Sequence, residues 1–167
     1  MIQRFTFGCP LPTESVVLPV EPAAAAVPYL TAEPDGSWSF SLAEDAVVYG
    51  LGEMPRGINK RGWHYVADNT DESHHGENRL SYYGAHNFLL IDGGAGRSVF
   101  GVFVDFPGKV FYDIGYTRHD RLTFRTEEPD YDLYILTGDS PNAVCTEFRK
   151  LIGHSYIPPK WAFGFAQ

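Results

Sequence analysis

The sequence predicts an all-β domain, an antiparallel β-sandwich, with one short helix near its carboxyl end. The aromatic share is 15%, and 17 Gly and 12 Pro provide frequent turns. This composition favours short strands over long helices. Candidate strands also follow one another without helices between them, which is typical of antiparallel sheets packed face to face. A chain of 167 residues is long enough for one domain with its own core.

Four short strands are predicted in the first fifty residues, at 4–7, 15–20, 29–31 and 37–42. In the last of them polar and apolar residues alternate, which places Trp38, Phe40 and Leu42 on one face of a sheet. The pair Asp35 and Gly36 supplies the turn before this strand.

A polar segment at about 54–79 shows little periodicity apart from a strand candidate at 63–66. Segments of this length without regular structure are usually functional or disordered. Its most polar part, residues 68–77, combines carboxylates, amides and hydroxyls beside Trp63 and Tyr65, which are the groups a sugar site uses. The same composition fits a solvated loop whose Asp and Asn side chains form local turns. Composition alone leaves both interpretations open.

Five further strands are predicted in the second half of the chain, at 87–91, 98–104, 109–114, 122–125 and 131–136. Gly, Pro, Asp and charged pairs separate them.

The helix has clear end signals. Ser140 can cap its amino end, Pro141 suits the first helical position, and Gly153 can close the carboxyl end. Residues Val144, Phe148, Leu151 and Ile152 fall on one face. The predicted domains are therefore a sandwich at 1–139 and a connecting segment at 140–167.

The connecting segment continues through an elbow at Pro158 and Pro159 into a predicted apolar strand at 161–165. Large apolar side chains such as Trp161 and Phe163 need a partner surface to leave water. We therefore expect this strand to be the first of a further domain that follows Gln167.

Charge and cysteine content restrict the class of protein. A formal net charge of −8 argues against a nucleic-acid partner, because such surfaces need clustered Lys and Arg. Cys9 and Cys145 lie far apart, so reduced thiols are expected. The chain has no apolar run of signal-peptide or membrane-span length. We expect a cytoplasmic protein without a membrane partner.

Two motifs that bind metals or nucleotides in other proteins are incomplete here. His74, His75 and Glu77 do not reproduce a known ligand spacing, so no metal site is predicted. The segment 50–53, GLGE, lacks the third glycine of a dinucleotide fingerprint and the Lys-Ser/Thr pair of a P-loop. It predicts a structural turn, and no cofactor is expected.

Cleavage of a glycosidic bond needs two carboxylates at a set separation. Four are candidates, namely Glu53, Asp71, Asp105 and Asp113. Their spacing along the sequence does not indicate which two of them, if any, lie close together in the fold.

Five segments, in order from about residue 47 to the end, resemble the N-terminal β-sandwich of glycoside hydrolase family 31, the α-glucosidase family. They are Tyr49–Glu53 (YGLGE), Arg61–Gly62, Asn69–Asp71 followed by Leu80–Gly84, Asp132–Pro141 (DLYILTGDSP), and Pro158–Phe165 (PPKWAFGF). Residues 1–46 carry little of the resemblance.

The resemblance implies a galactose-mutarotase-like sandwich that precedes a (β/α)8 barrel, and retaining cleavage of α-linked glucosides by two Asp residues. Both belong to barrel segments that come after Gln167, and the family's nucleophile word, W-x-D-M-N, does not occur here. No catalytic residue is therefore expected in this chain, which should be inactive alone. Its expected partners are an α-glucoside or oligosaccharide substrate and the barrel of the same protein.

The resemblance also implies one site. In the family a loop of the sandwich reaches over the barrel mouth, where its Asp contacts the sugar beyond the scissile bond. Carried over by position, this residue is Asp71, with Asp68 as a neighbouring alternative and Ser73 as a further hydroxyl contact. Asp68 stands where the family often has an aromatic residue, and the pair His74–His75 is not part of a family motif. The resemblance therefore leaves the preferred leaving group open.

Two other functions fit the same fold class, a free-standing carbohydrate-binding module and an aldose epimerase. Fold analogy does not choose between them. The segment PPKWAFGF favours the glucosidase fragment, because neither alternative needs an apolar terminal strand.

Overall fold

The structure is a computed structural model that describes residues 1–71, 73–94 and 96–164. Within them the chain forms strands β1 (Ile2–Phe7), β2 (Thr31–Ala32), β3 (Trp38–Ser41), β4 (Val47–Gly52), β5 (Trp63–Ala67), β6 (Ala85–Asp92), β7 (Val99–Asp105), β8 (Val110–Ile114), β9 (Arg121–Thr126) and β10 (Tyr131–Thr137). They are followed by helix α1 (Pro141–Ile152) and a 3₁₀ helix (Lys160–Phe163).

The strands form two five-stranded sheets. The first has the order β1-β10-β7-β6-β4 and the second the order β2-β3-β9-β8-β5. All strand pairs among the described residues are antiparallel. The predicted antiparallel β-sandwich is confirmed.

The main core lies between the two sheets. In β8, Val110, Tyr112 and Ile114 point inward and are buried, whereas Phe111 and Asp113 between them are half-exposed. This is the period of two that a sheet with one buried face requires. Trp38 and Phe40 of β3 pack against the same core, as their alternation predicts.

Helix α1 covers the outer face of the first sheet and forms a second apolar cluster there. Val144 and Leu151 are fully buried against Leu90 and Leu136. Strand β10 is therefore buried on both faces, which explains its nearly continuous apolar sequence. The predicted caps are confirmed, because the Ser140 side chain accepts a hydrogen bond from Ala143 N and Gly153 has φ of 84°.

The strand predicted at 15–20 is wrong. The backbone N–H groups of Val17 and Leu18 both donate to the carbonyl of Leu151, at 2.9 and 3.2 Å. The segment therefore runs along the carboxyl end of α1 and satisfies a helix-end carbonyl instead of joining a sheet. The strand predicted at 29–31 is also shifted, since only Thr31 and Ala32 pair with β3.

The strand predicted at 161–165 is replaced by the 3₁₀ helix as far as the structure describes it, and residues 165–167 lie outside the described residues. Ala162 N donates to Pro159 O at 2.9 Å. A strand needs a neighbour for its backbone groups, and no described strand lies beside this segment, so they bond locally. Trp161 and Phe163 are 82% and 74% exposed.

In the described part of the chain no helix is long and apolar enough to cross a membrane. Cys9 and Cys145 are both free and exposed.

Candidate functional site

The end of β4 redirects the chain into the polar segment. Gly50, Leu51 and Gly52 have φ of 120°, 67° and 71°, and the pairing with β6 shifts between the two glycines. A Cβ on Gly50 would lie 2.2 Å from the Phe88 carbonyl oxygen, and one on Gly52 would lie 2.3 Å from that of Gly84. The GLGE segment is thus a bulge with close backbone approach, in agreement with the predicted structural turn.

Strand β5 divides the polar segment into two loops, at 53–62 and 68–84. Arg61 fixes the first. Its Nη1 donates to the carbonyls of Ala43, Glu44 and Ala46, and its Nη2 donates to His119 O at 2.8 Å. One guanidinium therefore joins the turns before β4 and β9, and Arg61 has a structural role.

Two further cations stiffen the first loop. The Arg56 guanidinium lies 4.3 Å from the Trp63 ring centroid and donates to His64 O at 2.9 Å. Lys60 is only 6% exposed and lies over the Tyr65 ring. Burial and the charge of Arg56 lower the pKa of Lys60. These contacts hold the first loop against the sandwich.

The second loop is anchored at both ends. The Asn69 side chain accepts from Ala85 N at 2.6 Å, and Thr70 N donates to Tyr82 O at 3.1 Å. The Ser81 hydroxyl donates to Asp68 O at 2.6 Å. The Asn69 side chain and the Asp68 carbonyl therefore close the base of the loop, through bonds to residues 16 and 13 positions later in the chain and not through local turns.

Asp71 and Ser73 lie on the exposed part of this loop. The Asp71 carboxylate has no hydrogen bond or ion pair with any residue that the structure describes. Ser73 Oγ is 2.9 Å from His74 Nδ1, and the His75 ring packs against Tyr82 and lies 5.2 Å from the ring of Tyr83. The Asp71 carboxylate is thus an available hydrogen-bond acceptor on the exposed part of a loop whose two ends are held by hydrogen bonds.

Asp68 has a different environment, in a cleft of about 680 Å³ beside the second loop. The cleft lies where β5 and β7 end and β6 and β8 begin. Asp68 Oδ2 is 3.0 Å from Lys109 Nζ, with side chains 33% and 47% exposed. The structure therefore does not bring Asp68, Asp71 and Ser73 into one set of contacts: Asp68 lines the cleft, and the other two lie on the loop.

Asp105 also lines the cleft, half-buried at the end of β7. Burial raises the pKa of Asp105, opposed by a hydrogen bond that Thr13 Oγ1 donates and reinforced by the charge of Asp132. Asn87 beside it donates to Phe106 O at 3.4 Å. In the sequence Asp105 is only one of four scattered carboxylates, and Asn87 and Lys109 belong to none of the predicted site motifs. The turn at 105–109 after β7, which supplies both Asp105 and Lys109, was the one local signal for these residues.

The candidate carboxylates meet different neighbours. Asp113 accepts from the backbone N–H groups of Tyr116 and Thr117 and lies 3.1 Å from His64 Nε2. Although partial burial opposes it, these hydrogen bonds together with that of the Thr117 hydroxyl lower the pKa of Asp113. It organises the turn after β8. No group of three potential metal ligands occurs among the described residues.

The chain is similar to known glycoside hydrolases. The family described as "Glycosyl hydrolase 31 N-terminal galactose mutarotase-like domain" matches residues 26–113, more than half of the chain. The match begins before residue 47, where the individual sequence words start. It ends before the segments 132–141 and 158–165.

Two relatives and one solved structure show which kinds of enzyme the chain is similar to. The α-xylosidase XylQ of Lactiplantibacillus pentosus is 30% identical over 124 residues, which is 74% of this chain and 15% of XylQ. α-Glucosidase 2 of Bacillus thermoamyloliquefaciens is 32% identical over 131 residues, 77% of this chain and 16% of that enzyme.

The solved structure is a Flavobacterium johnsoniae GH31 dextranase, as a mutant complexed with isomaltotriose. It superposes with a TM-score of 0.68 at 25% identity, over 84% of this chain and 17% of the dextranase. The chain thus spans 15–17% of the length of these proteins.

Proposed function

Because the chain belongs to glycoside hydrolase family 31, whose N-terminal galactose mutarotase-like domain matches residues 26–113, we propose that it is the scaffold and substrate-loop domain of a retaining α-glucosidase. The hydrolysed substrates are α-linked glucosides or oligosaccharides. The catalytic carboxylates belong to a (β/α)8 barrel in the same protein, and this domain is inactive without it.

The observation that carries the proposal is the exposed Asp71 carboxylate on a loop anchored through Asn69 and Thr70. A carboxylate accepts hydrogen bonds from two neighbouring sugar hydroxyls, and an anchored base limits where it can lie. Asp71 therefore holds the leaving sugar, and Ser73 and Asp68 flank it on either side along the chain.

The chemical contribution of this loop is positioning. Holding the leaving sugar keeps the glycosidic oxygen in line with the acid and the nucleophile of the barrel, which lowers the entropic part of the barrier. Retention then proceeds through a covalent glycosyl-enzyme that water hydrolyses. Neither step uses a metal or an organic cofactor.

The barrel is also the proposed partner of the segment that follows α1. Four of its large side chains are strongly exposed, namely Tyr156, Ile157, Trp161 and Phe163. Four large exposed apolar side chains within one short segment are typical of an interface rather than of a solvated surface.

Substituting Asp71 in the intact enzyme tests the proposal. Asp71→Ala should lower kcat/KM on an α-linked disaccharide, with a loss of transition-state stabilisation of about 1.5–3 kcal/mol, the usual contribution of a hydrogen bond to a charged group. An aryl α-glucoside lacks the leaving sugar and should lose much less. Asp120→Ala is the control, because the exposed Asp120 carboxylate pairs with Arg118 of the same turn, and the backbone carbonyl that accepts from Leu42 N is kept in the variant. Equal losses on both substrates, or none, would remove Asp71 from the site.

A further inference from the structure

We propose that the cleft beside the second loop is an additional subsite for neutral α-glucan, which takes the sugars beyond the one that Asp71 holds. The inference rests on the proposed function and extends it to the chain length of the substrate. Three sets of observations carry it: the shape of the cleft, its charge, and its continuity with the loop.

The size and lining of the cleft suit a polyol. Its volume of about 680 Å³ lies within the roughly 300–1,000 Å³ common for small-molecule sites. Asp68 and Asp105 supply carboxyl oxygens, Asn87 supplies an amide, and Lys109 supplies an ammonium group. Phe106 adds an apolar surface for the C–H face of a sugar ring. Hydroxyl groups both donate and accept, so this mixture of partners matches them.

The charge of the cleft excludes anionic ligands. Three carboxyl groups line it, from Asp68, Asp105 and Glu127, against the one ammonium group of Lys109. The hydrogen bond to Asp68 raises the pKa of Lys109, which favours the charged ammonium form of Lys109. A phosphate or a uronic acid would meet excess negative charge, whereas a neutral sugar does not.

Asp68 and Asn69 line the cleft and also begin the second loop. Asp71 follows Asp68 by three residues, so their Cα atoms are at most about 11 Å apart. One oligosaccharide can therefore contact Asp71 with its first leaving-side sugar and the Asp68–Lys109 pair with a later one.

Titration of the 167-residue chain with isomaltotriose, maltotriose and glucose, followed by amide NMR, tests the subsite. We expect saturable shifts at Asn87, Asp105 and Lys109 with at least one trisaccharide, and much weaker binding of glucose. Lys109→Met should weaken trisaccharide binding roughly tenfold, the effect of one charged hydrogen bond. Comparing the two trisaccharides identifies the preferred linkage.

Lys150→Met is the matched control, because Lys150 forms the same kind of ion pair with Glu147 at 2.6 Å on α1, outside the cleft. It should leave binding unchanged. Asp71→Ala should leave the NMR shifts at the cleft in place. The kinetic test of Asp71 and the binding test of the cleft can therefore fail independently of each other. Absence of saturable trisaccharide shifts, or equal weakening by Lys109→Met and Lys150→Met, would overturn the subsite.

Discussion

Asp105 shows how burial changes a single carboxyl group. It is held at the end of β7 by Thr13, and its raised pKa reflects mainly the loss of water around it. The folded chain therefore binds this proton more tightly than the unfolded chain does. By linkage, its contribution lowers the free energy of unfolding as pH rises from the ordinary carboxyl pKa through the raised value.

Asp105→Asn should remove this pH dependence. Asparagine keeps an oxygen that accepts from Thr13 but has no charge to desolvate. The stability of the variant relative to the native chain should therefore rise with pH, from about pH 3.5 to neutral pH. Urea unfolding at several pH values measures the difference.

Asp120→Asn is the opposite control, since the hydrogen bond from Arg118 lowers the pKa of Asp120. Its stability relative to the native chain should fall as pH rises from the lowered pKa of Asp120 to the ordinary carboxyl value, and it should stay constant above that, where the Asp105→Asn difference still rises. A flat or falling difference for Asp105→Asn would show that the native Asp105 is not held by a desolvating environment.

The role of Asp71 depends on its position in a family motif and stays a prediction, and the structure shows only that the residue is exposed. Contacts between distant residues have no such motif. The ion pair of Asp68 with Lys109 joins residues 41 positions apart, so no local pattern announces it. The same is true of the bond from Thr13 to Asp105.

The backbone geometry of the β4 bulge requires glycine at Gly50. Gly50 has φ of 120° and lies against the Phe88 carbonyl, so a side chain there is both strained and obstructed. The bulge also sets the direction in which the chain enters the first loop.

Gly50→Ala should lower the free energy of unfolding by about 2–4 kcal/mol, the sum of backbone strain and a clash with the partner strand. Gly36→Ala separates these effects, because Gly36 also has positive φ but a Cβ there meets no atom within 4 Å. It should cost only about 1 kcal/mol. Chemical denaturation measures both, and similar losses would mean that the close approach to Phe88 is relieved at little cost.

Elements with local signals were predicted well. The caps of α1 lie within the helix sequence itself, and the alternation of β3 and β8 shows directly in their residues. The segment 15–20 failed because its partner is the Leu151 carbonyl, more than 130 residues later. An apolar run next to a proline predicts a strand locally, and only tertiary contact decides otherwise.

The molecule as a whole combines a closed core with an exposed apolar segment. The sandwich buries its large side chains between the sheets and under α1, whereas Trp161 and Phe163 remain in water. The sequence predicted the two-sheet architecture. It did not predict that the apolar segment, as far as it is described, takes a 3₁₀ conformation within this chain.

The most direct test of the proposed role is the activity of this chain alone. The purified 167-residue chain, shown to be folded by circular dichroism, is incubated with 4-nitrophenyl α-D-glucoside. Because the catalytic carboxylates are assigned to the barrel, nitrophenol release should not exceed that of buffer. Turnover that disappears on substitution of Asp71, Asp105 or another Asp of this chain would contradict the account, since this domain would then contain its own catalytic carboxylate.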